Sequence, residues 1–223
     1  MLRTMTLASV AAVLMASPAL AQDRAGQVQL KLVGTAVLPD GKIETVNADA
    51  VGLPATLQTR ASDNYVPTIA VEYFFTNNFS VETIAGMTQH DVDATAGLPV
   101  AAELVADGKL IPATITAKYH FDLGGIKPYV GAGPSYFLWV SQKPGAAVVP
   151  LGVTSTELSN ELGLALQAGI DVPLGAKGLA LTLDAKRYFV GTTASWFVGN
   201  TKVIETEHKL DPWVLSAGLA YRF

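Results

Sequence analysis

Histidine beside aspartate is the arrangement in this sequence that could support acid–base chemistry. Of three histidines, His90 precedes Asp91 and Asp93, and His208 precedes Asp211. Acid–base or nucleophilic catalysis needs such groups within hydrogen-bond distance of a nucleophile. The sequence has no GxSxG nucleophile motif, and its histidines lack HExxH metal-ligand spacing. These residues are therefore predicted to be solvated loop residues, and no enzyme activity, metal site or bound cofactor is expected.

The composition indicates a surface that faces something other than water. Half of the residues are hydrophobic, 15% are charged and none is cysteine, whereas soluble domains are about 25% charged. Beyond the N-terminal segment no apolar run approaches the roughly 20 residues of a transmembrane helix. Two possibilities remain, namely a β-rich soluble domain and a chain that crosses a membrane as strands. With 15 basic against 19 acidic residues, there is no basic patch for nucleic acid.

Residues 1–21 have the form of a secretory signal peptide. Arg3 precedes an apolar stretch over residues 7–15, which is too short to span a bilayer. The Ala-Leu-Ala sequence ending at Ala21 supplies the small residues of a cleavage site. We expect removal of this segment and a mature chain of one domain, residues 22–223.

Alternation with a period of two recurs through the mature chain in segments of about ten residues, which is typical of strands with one apolar face. It is clearest in three segments, at 162–172, 179–186 and 213–223. Less regular segments bring the number to eight, at 27–38, 65–75, 79–90, 113–121 and 128–139. Glycine at alternate positions leaves the faces of the 128–139 segment unassigned.

The connections between these segments alternate in length. Three are tight turns, at 76–78, 122–127 and 173–178. Four are long, at 39–64, 91–112, 140–161 and 191–211. Outer-membrane barrels have short periplasmic turns and longer extracellular loops. We therefore predict an all-β, eight-stranded antiparallel up-and-down barrel that spans the outer membrane of a Gram-negative bacterium and contacts its lipid.

Aromatic residues gather near the ends of the predicted strands, as in the girdles of membrane barrels. The periplasmic set is Phe75, Phe79, Phe121, Tyr129 and Phe223. The external set is Tyr65, Trp139, Tyr188, Phe189 and Trp213. The terminal Phe223 resembles the signal by which barrel-assembly machinery recognises such proteins. The alternative is a soluble sandwich with these aromatics in its core.

Specific motifs resemble the outer membrane protein W (OmpW) family of eight-stranded barrels. The most specific are PYVGAG at 128–133, LDPWV at 210–214 and YRF at 221–223. The resemblance covers nearly all of the mature chain. It implies binding or passage of small hydrophobic molecules at the outer membrane. The two long middle loops match the family poorly, so ligand contacts there are not transferred.

The polar face of each strand, taken as inward, places four acidic and four basic residues in the lumen. The interior of an eight-stranded barrel is just wide enough for side chains to fill, and buried charges are costly unless paired. These charges should therefore pair and close the lumen, with Lys186 alone in the external half. The predicted periplasmic plug comprises Lys31, Glu72, Glu82, Lys118, His120, Asp171, Asp184 and Arg222.

The external half of the lumen is predicted to be lined by small or apolar side chains. A hydrophobic solute could enter there from outside, and lateral escape into the bilayer would cost less than passage through the plug. The predicted apolar cavity comprises Val33, Ala70, Ile84, Gly86, Ala165 and Val214. Three alternatives remain, namely a lumen that is only packed scaffold, a structural or adhesive barrel that acts through its extracellular loops, and a soluble lipocalin-like barrel with the reverse register.

Overall fold

The computed structural model describes residues 23–98, 102–175 and 178–223. The expected signal peptide lies outside the described residues. These ranges contain fourteen strands, and no helix within them is long and apolar enough to cross a membrane. The strands are β1 Val28–Leu38, β2 Lys42–Asp49, β3 Gln58–Ala61, β4 Asn64–Phe74, β5 Phe79–Ala85, β6 Thr88–Ala96, β7 Ala102–His120, β8 Lys127–Pro144, β9 Ser155–Leu158, β10 Glu161–Pro173, β11 Leu179–Phe189, β12 Gly191–Val198, β13 Thr201–Lys209 and β14 Trp213–Arg222.

Eight membrane strands close into an antiparallel barrel, which confirms the predicted fold. Their order around the wall is β1, β4, β5 continued by β6, β7, β8, β10, β11 and β14. Strand β1 pairs with both β4 and β14, so the sheet closes on itself. Closure pairs the first and last membrane strands, so no terminal strand of the sheet faces lipid unpaired. We call the end with the short turns the periplasmic end and the other the external end.

Alternate residues of each membrane strand face opposite sides of the wall. In β1 the outward Leu32 is 62% exposed, whereas the inward Lys31 and Val33 are 3% and 7% exposed. A membrane barrel requires this register, with an apolar outward face. A soluble lipocalin-like barrel would have the reverse register, and the inward lysine excludes it here.

The long connections contain ordered strands, which alternation in the sequence did not predict. Strands β2, β13, β12 and β9 form an external four-stranded sheet, and β7 and β8 extend to 19 and 18 residues. The segments pack on an apolar cluster of their own, which includes Val105, Ala194, Trp196 and Ile204. Burial of this cluster, rather than contact with lipid, stabilises the strands outside the membrane.

The third membrane strand is interrupted at Gly86 and Met87, where the sequence predicted a continuous strand. Pairing of β5 with β7 ends at Thr83 opposite Ile115, and pairing of β6 with β7 begins at Thr88 opposite Leu110. Pro112, which has no amide hydrogen to donate, lies in the part of β7 that faces this interruption. The wall therefore lacks a continuous hydrogen-bond ladder at this point.

The interruption extends to the other neighbour, β4. Pairing of β4 with β5 ends at Ile69 opposite Ala85. Beyond that point the contacts include one side-chain hydrogen bond, in which Asn64 Nδ2 donates to Gln89 O over 2.8 Å. Backbone pairing resumes just before β4, where Ser62 N donates to Asp91 O over 2.8 Å. The gap in the ladder between β4 and β6 is therefore short.

Candidate functional site

A buried ion network lies across the lumen. Glu72 and Glu82, from β4 and β5, each have a carboxylate oxygen 2.8–2.9 Å from Lys31 Nζ and 2.9 Å from Lys118 Nζ. The four side chains are at most 4% exposed. A buried charge is costly unless it is paired, and here each lysine is paired with both carboxylates.

Lys186 belongs to the same network, so its expected isolation in the external half is wrong. Its Nζ lies 3.1 Å from Glu82 Oε1 and 2.8 Å from Asp184 Oδ1. Gln167 Nε2 donates to Glu82 at 2.9 Å and to Asp184 at 2.6 Å. The long lysine side chain reaches back toward the periplasmic end, which its strand position alone does not reveal.

His120 extends the network toward the periplasmic end. Its Nε2 lies 2.7 Å from Glu72 Oε1, and Ser80 Oγ donates to the same oxygen over 2.5 Å. The ring also packs against Phe74 and Tyr129. His120 therefore fixes the orientation of the Glu72 carboxylate.

The two remaining predicted plug residues lie nearer the periplasmic end. Asp171 Oδ2 accepts a hydrogen bond from Gln29 Nε2 over 3.1 Å, and Arg222 is opposite Gln29 in the pairing of β1 with β14. Asp171 is buried and Arg222 half-buried. Both adjoin the network, since Gln29 is also opposite Glu72 in the pairing of β1 with β4.

An apolar cavity lies on the external side of the network. The volume of the cavity is about 80 Å³, which is smaller than the roughly 300–1,000 Å³ of common ligand pockets. The cavity therefore suits slender molecules. Five of the six predicted cavity residues line it, namely Val33, Ala70, Ile84, Gly86 and Val214. Ala165 is fully buried in the adjoining apolar cluster.

Three aromatics expected at the girdles lie inside the barrel, which corrects that prediction. Tyr129 is 1% exposed, donates to Asp184 Oδ2 over 2.7 Å and places its ring 3.7 Å from Lys118 Nζ. Trp139 and Tyr188 line the cavity. The odd-numbered residues of β8 face inward, and this parity was hidden by its alternating glycines. The expected girdle positions that are exposed are Tyr65, Phe75, Phe79, Phe121, Phe189, Trp213 and Phe223.

Sequence reasoning missed other lumen residues. Gln167, a neutral member of the network, followed from the inward parity of β10, but only charged residues were considered there. Phe137, Leu110 and Leu210 belong to the apolar cluster beside the cavity. Leu110 and Leu210 lie where the sequence predicted loops, so alternation gave them no face.

The external histidines are buried, which corrects the expectation of solvated loop residues. Thr206 Oγ1 and Thr88 Oγ1 lie 2.6 Å and 2.9 Å from Nε2 of His208 and His90. The Nδ1 of His208 lies 3.3 Å from Gly41 O. Burial lowers the pKa of His208 from its ordinary value. A neutral ring with Nδ1 as donor satisfies both contacts.

Comparison with known proteins gives a consistent result. The family model described as "OmpW family" matches residues 24–223. The outer-membrane protein y4mB of Sinorhizobium fredii is 33% identical over 165 residues, 73% of this chain and 67% of the relative. Outer membrane protein W of Vibrio cholerae is 26% identical over 160 residues, 70% and 72% of the two chains. The crystal structure of OprG from Pseudomonas aeruginosa has a TM-score of 0.78 at 23% identity and covers 91% of this chain and 98% of that one.

Proposed function

The chain belongs to the OmpW family of outer-membrane barrels, and on that premise we propose that it binds small hydrophobic molecules in its lumen and passes them into the bilayer. Entry is from the extracellular side. The buried ion network is a plug that prevents straight passage to the periplasm. The observation that supports this proposal best is the position of the apolar cavity directly against the paired charges.

The paired charges oppose passage of a solute toward the periplasm. A hydrophobic molecule that separated Lys31 or Lys118 from the two glutamates would leave charges buried without partners. Removing one partner of a buried ion pair costs about 3–5 kcal/mol. The apolar side chains of the cavity impose no comparable cost, so a solute should stay on the external side of the network.

The interruption beside β5 and β6 offers a lateral exit. Gly86 and Met87 line the cavity, and Met87 is 51% exposed on the barrel surface. Opening the wall here breaks side-chain contacts but no continuous backbone ladder. We propose that solutes leave between β4 and β6, where the wall separates at the lowest cost.

Planar-bilayer conductance and probe binding together test this function. The purified barrel should give no large, steady ionic current, because the plug leaves no aqueous path. A fluorescent apolar probe should bind saturably, and Gly86→Trp should abolish that binding by filling the cavity. Ala85→Trp, which adds the same bulk on the lipid side, should bind the probe as the wild type does. Steady porin-like currents would contradict the plug, and equal binding by both variants would contradict the cavity.

A structural or adhesive role is the second candidate. The external sheet of β2, β13, β12 and β9 favours it, because an ordered surface on its own apolar cluster can present a fixed shape to a partner. Shortening the β12–β13 hairpin should then abolish cell adhesion and leave probe binding unchanged. If the shortened variant kept both cell adhesion and probe binding, the adhesive role would be excluded.

A further inference from the structure

The hydroxyl of Thr182 faces the apolar cavity without a partner. Thr182 lies on β11, lines the cavity and is 1% exposed. Among the described residues, none forms a hydrogen bond with its Oγ1. Buried polar groups in native proteins are almost always hydrogen-bonded, so an exception calls for an explanation.

Neighbouring strands form a small polar recess around this hydroxyl. Thr182 is opposite Gly218 of β14, which in turn is opposite Val33 of β1. One position toward the external end on the same face, Thr35 Oγ1 and Ser216 Oγ lie 2.9 Å apart. We call Thr182, Gly218, Ser216 and Thr35 the hydroxyl recess.

Gly218 keeps the recess open. It has no side chain on the inward face, and an added Cβ would lie 2.2 Å from the backbone oxygen of Leu32. A larger residue therefore does not fit while β14 approaches β1 this closely. Gly218 therefore places no side chain between Thr182 and Val33 on the inner wall.

Two of the charges near the recess are already compensated. Asp184, the next inward residue on β11, accepts hydrogen bonds from Tyr129, Gln167 and Lys186. Lys31 is held by both glutamates of the plug. Asp171, which is opposite Thr182 in the pairing of β10 with β11, adds a further negative charge, and its Oδ1 has no hydrogen bond among the described residues. An anionic ligand group would therefore be repelled here and costly to bury.

We infer that the hydroxyl recess binds the neutral oxygen-bearing head of a slender aliphatic molecule, with its chain in the apolar cavity. This inference rests on the proposed function and specifies its ligand class as alcohols, aldehydes or ketones. The Thr182 hydroxyl donates to the ligand oxygen, and with an alcohol it can also accept. Neither a hydrocarbon nor a carboxylate satisfies the recess, because the first has no polar group and the second carries a charge.

Methyl NMR in lipid nanodiscs tests the inference with decan-1-ol, decane and decanoate. The barrel carries ¹³C-labelled threonine methyl groups, and empty nanodiscs correct for partition into lipid. We expect decan-1-ol to shift the Thr182 methyl signal and to bind about three- to tenfold tighter than decane or decanoate, since one net hydrogen bond is worth that factor.

Two substitutions of Thr182 separate its hydroxyl from its shape. Thr182→Val keeps the branched shape, so decane affinity should be unchanged while the preference for decan-1-ol is lost; the remaining threonine methyls report binding. Thr182→Ser keeps the hydroxyl and should keep the preference, which also controls for folding. Thr68→Val removes a cavity hydroxyl three strands away and should keep the preference for decan-1-ol. Thr45→Val, at an exposed position of the external sheet, is the control and should change neither affinity.

The outcomes distinguish this inference from the proposed function. Equal binding of decane and decan-1-ol, or a preference that survives Thr182→Val, overturns the recess while the cavity stands. A preference that disappears in Thr68→Val but survives in Thr182→Val places the head elsewhere and also overturns it. If none of the three compounds shifts any cavity methyl, the proposed function itself fails.

Discussion

Gly131 lies directly opposite Lys118 in the pairing of β7 with β8, and a Cβ at position 131 would lie 2.9 Å from Lys118 Cγ. The absence of a side chain at Gly131 is therefore what allows the Lys118 stem to lie flat against the inner wall. From there its Nζ reaches both glutamates of the plug. A glycine that contacts no ligand thus positions the central cation of the network.

Gly131→Ala is expected to destabilise the barrel by about 1–3 kcal/mol, the usual cost of overpacking. The new methyl group would displace the Lys118 side chain from its carboxylate partners. Gly34→Ala is the matched control, since its Cβ would have no neighbour nearer than 4.0 Å and should change stability by less than about 0.5 kcal/mol. Equilibrium unfolding in denaturant measures both, and equal values would contradict the positioning role.

Lys118→Met is expected to cost about 3–5 kcal/mol in the free energy of unfolding. It leaves Glu72 and Glu82 sharing fewer cations in a buried site. Lys143→Met removes an exposed ion pair with Asp107 and should cost far less, because exposed ion pairs contribute little to stability. If Lys118→Met proved as mild as the surface control, the charges of the plug would have to be solvated rather than tightly paired.

A disulfide between positions 68 and 86 is expected to lock the wall at the interruption. An ideal Cβ at Gly86 lies 3.7 Å from Thr68 Cβ, within the range that a disulfide spans, and the chain has no other cysteine. In liposomes, oxidised Thr68→Cys/Gly86→Cys should lose uptake of an apolar probe, and reduction should restore it. The two single-cysteine variants should not respond to oxidant. Undiminished uptake by the oxidised double variant would exclude this exit.

The external sheet is expected to become less stable in mild acid because of His208. Burial lowers its pKa, so the opened chain binds a proton at a higher pH than the folded chain does. Stability is therefore full above about pH 7.5 and falls as the pH drops through 6.5 toward the folded pKa. The equilibrium constant for opening of the sheet rises in total by about tenfold for each unit by which folding lowers the pKa. Hydrogen exchange of the Gly41 amide, bonded to Lys209 O, should show reduced protection at pH 5. His208→Gln should remove this difference, and a wild type with equal protection at both pH values would refute it.

Deleting Phe223 is expected to slow insertion into the outer membrane, because we propose that barrel-assembly machinery recognises this residue. Its ring is 67% exposed, and its amide donates to Val28 O over 2.9 Å. Phe223→Tyr keeps an aromatic ring there and is the control. Pulse-labelled cells report the folded fraction, and deletion without delay would argue against recognition at this residue.

The barrel itself could be predicted from sequence because lipid imposes one rule on every membrane strand. Leu32 and Lys31 show that rule directly, as outward apolar and inward polar neighbours. It fails where the chain leaves the bilayer. The β12–β13 hairpin turns at Gly199 and Asn200, a Gly-Asn pair typical of two-residue hairpins, and that local signal could have identified the external sheet.

The lumen could be predicted only in part, for two physical reasons. Tyr129 was assigned to a girdle because its strand alternates glycine on the inward face, so hydrophobicity does not reveal the parity. Lys186 was placed apart from the plug because strand position fixes its Cα, while its long side chain reaches several ångströms toward Glu82. Parity gives the face of a residue, and side-chain length decides which groups meet.

Trp196 joins the external sheet to a strand of the barrel wall. Its indole Nε1 donates to the backbone oxygen of Leu104 over 3.0 Å, and Leu104 lies on the β7 strand that continues down beside the interrupted wall. A molecule or antibody that binds the sheet from outside the cell therefore contacts a sheet bonded to the same strand that borders the proposed lateral exit. In the proposed function, recognition at the external sheet and release of the solute therefore act on the same strand, β7.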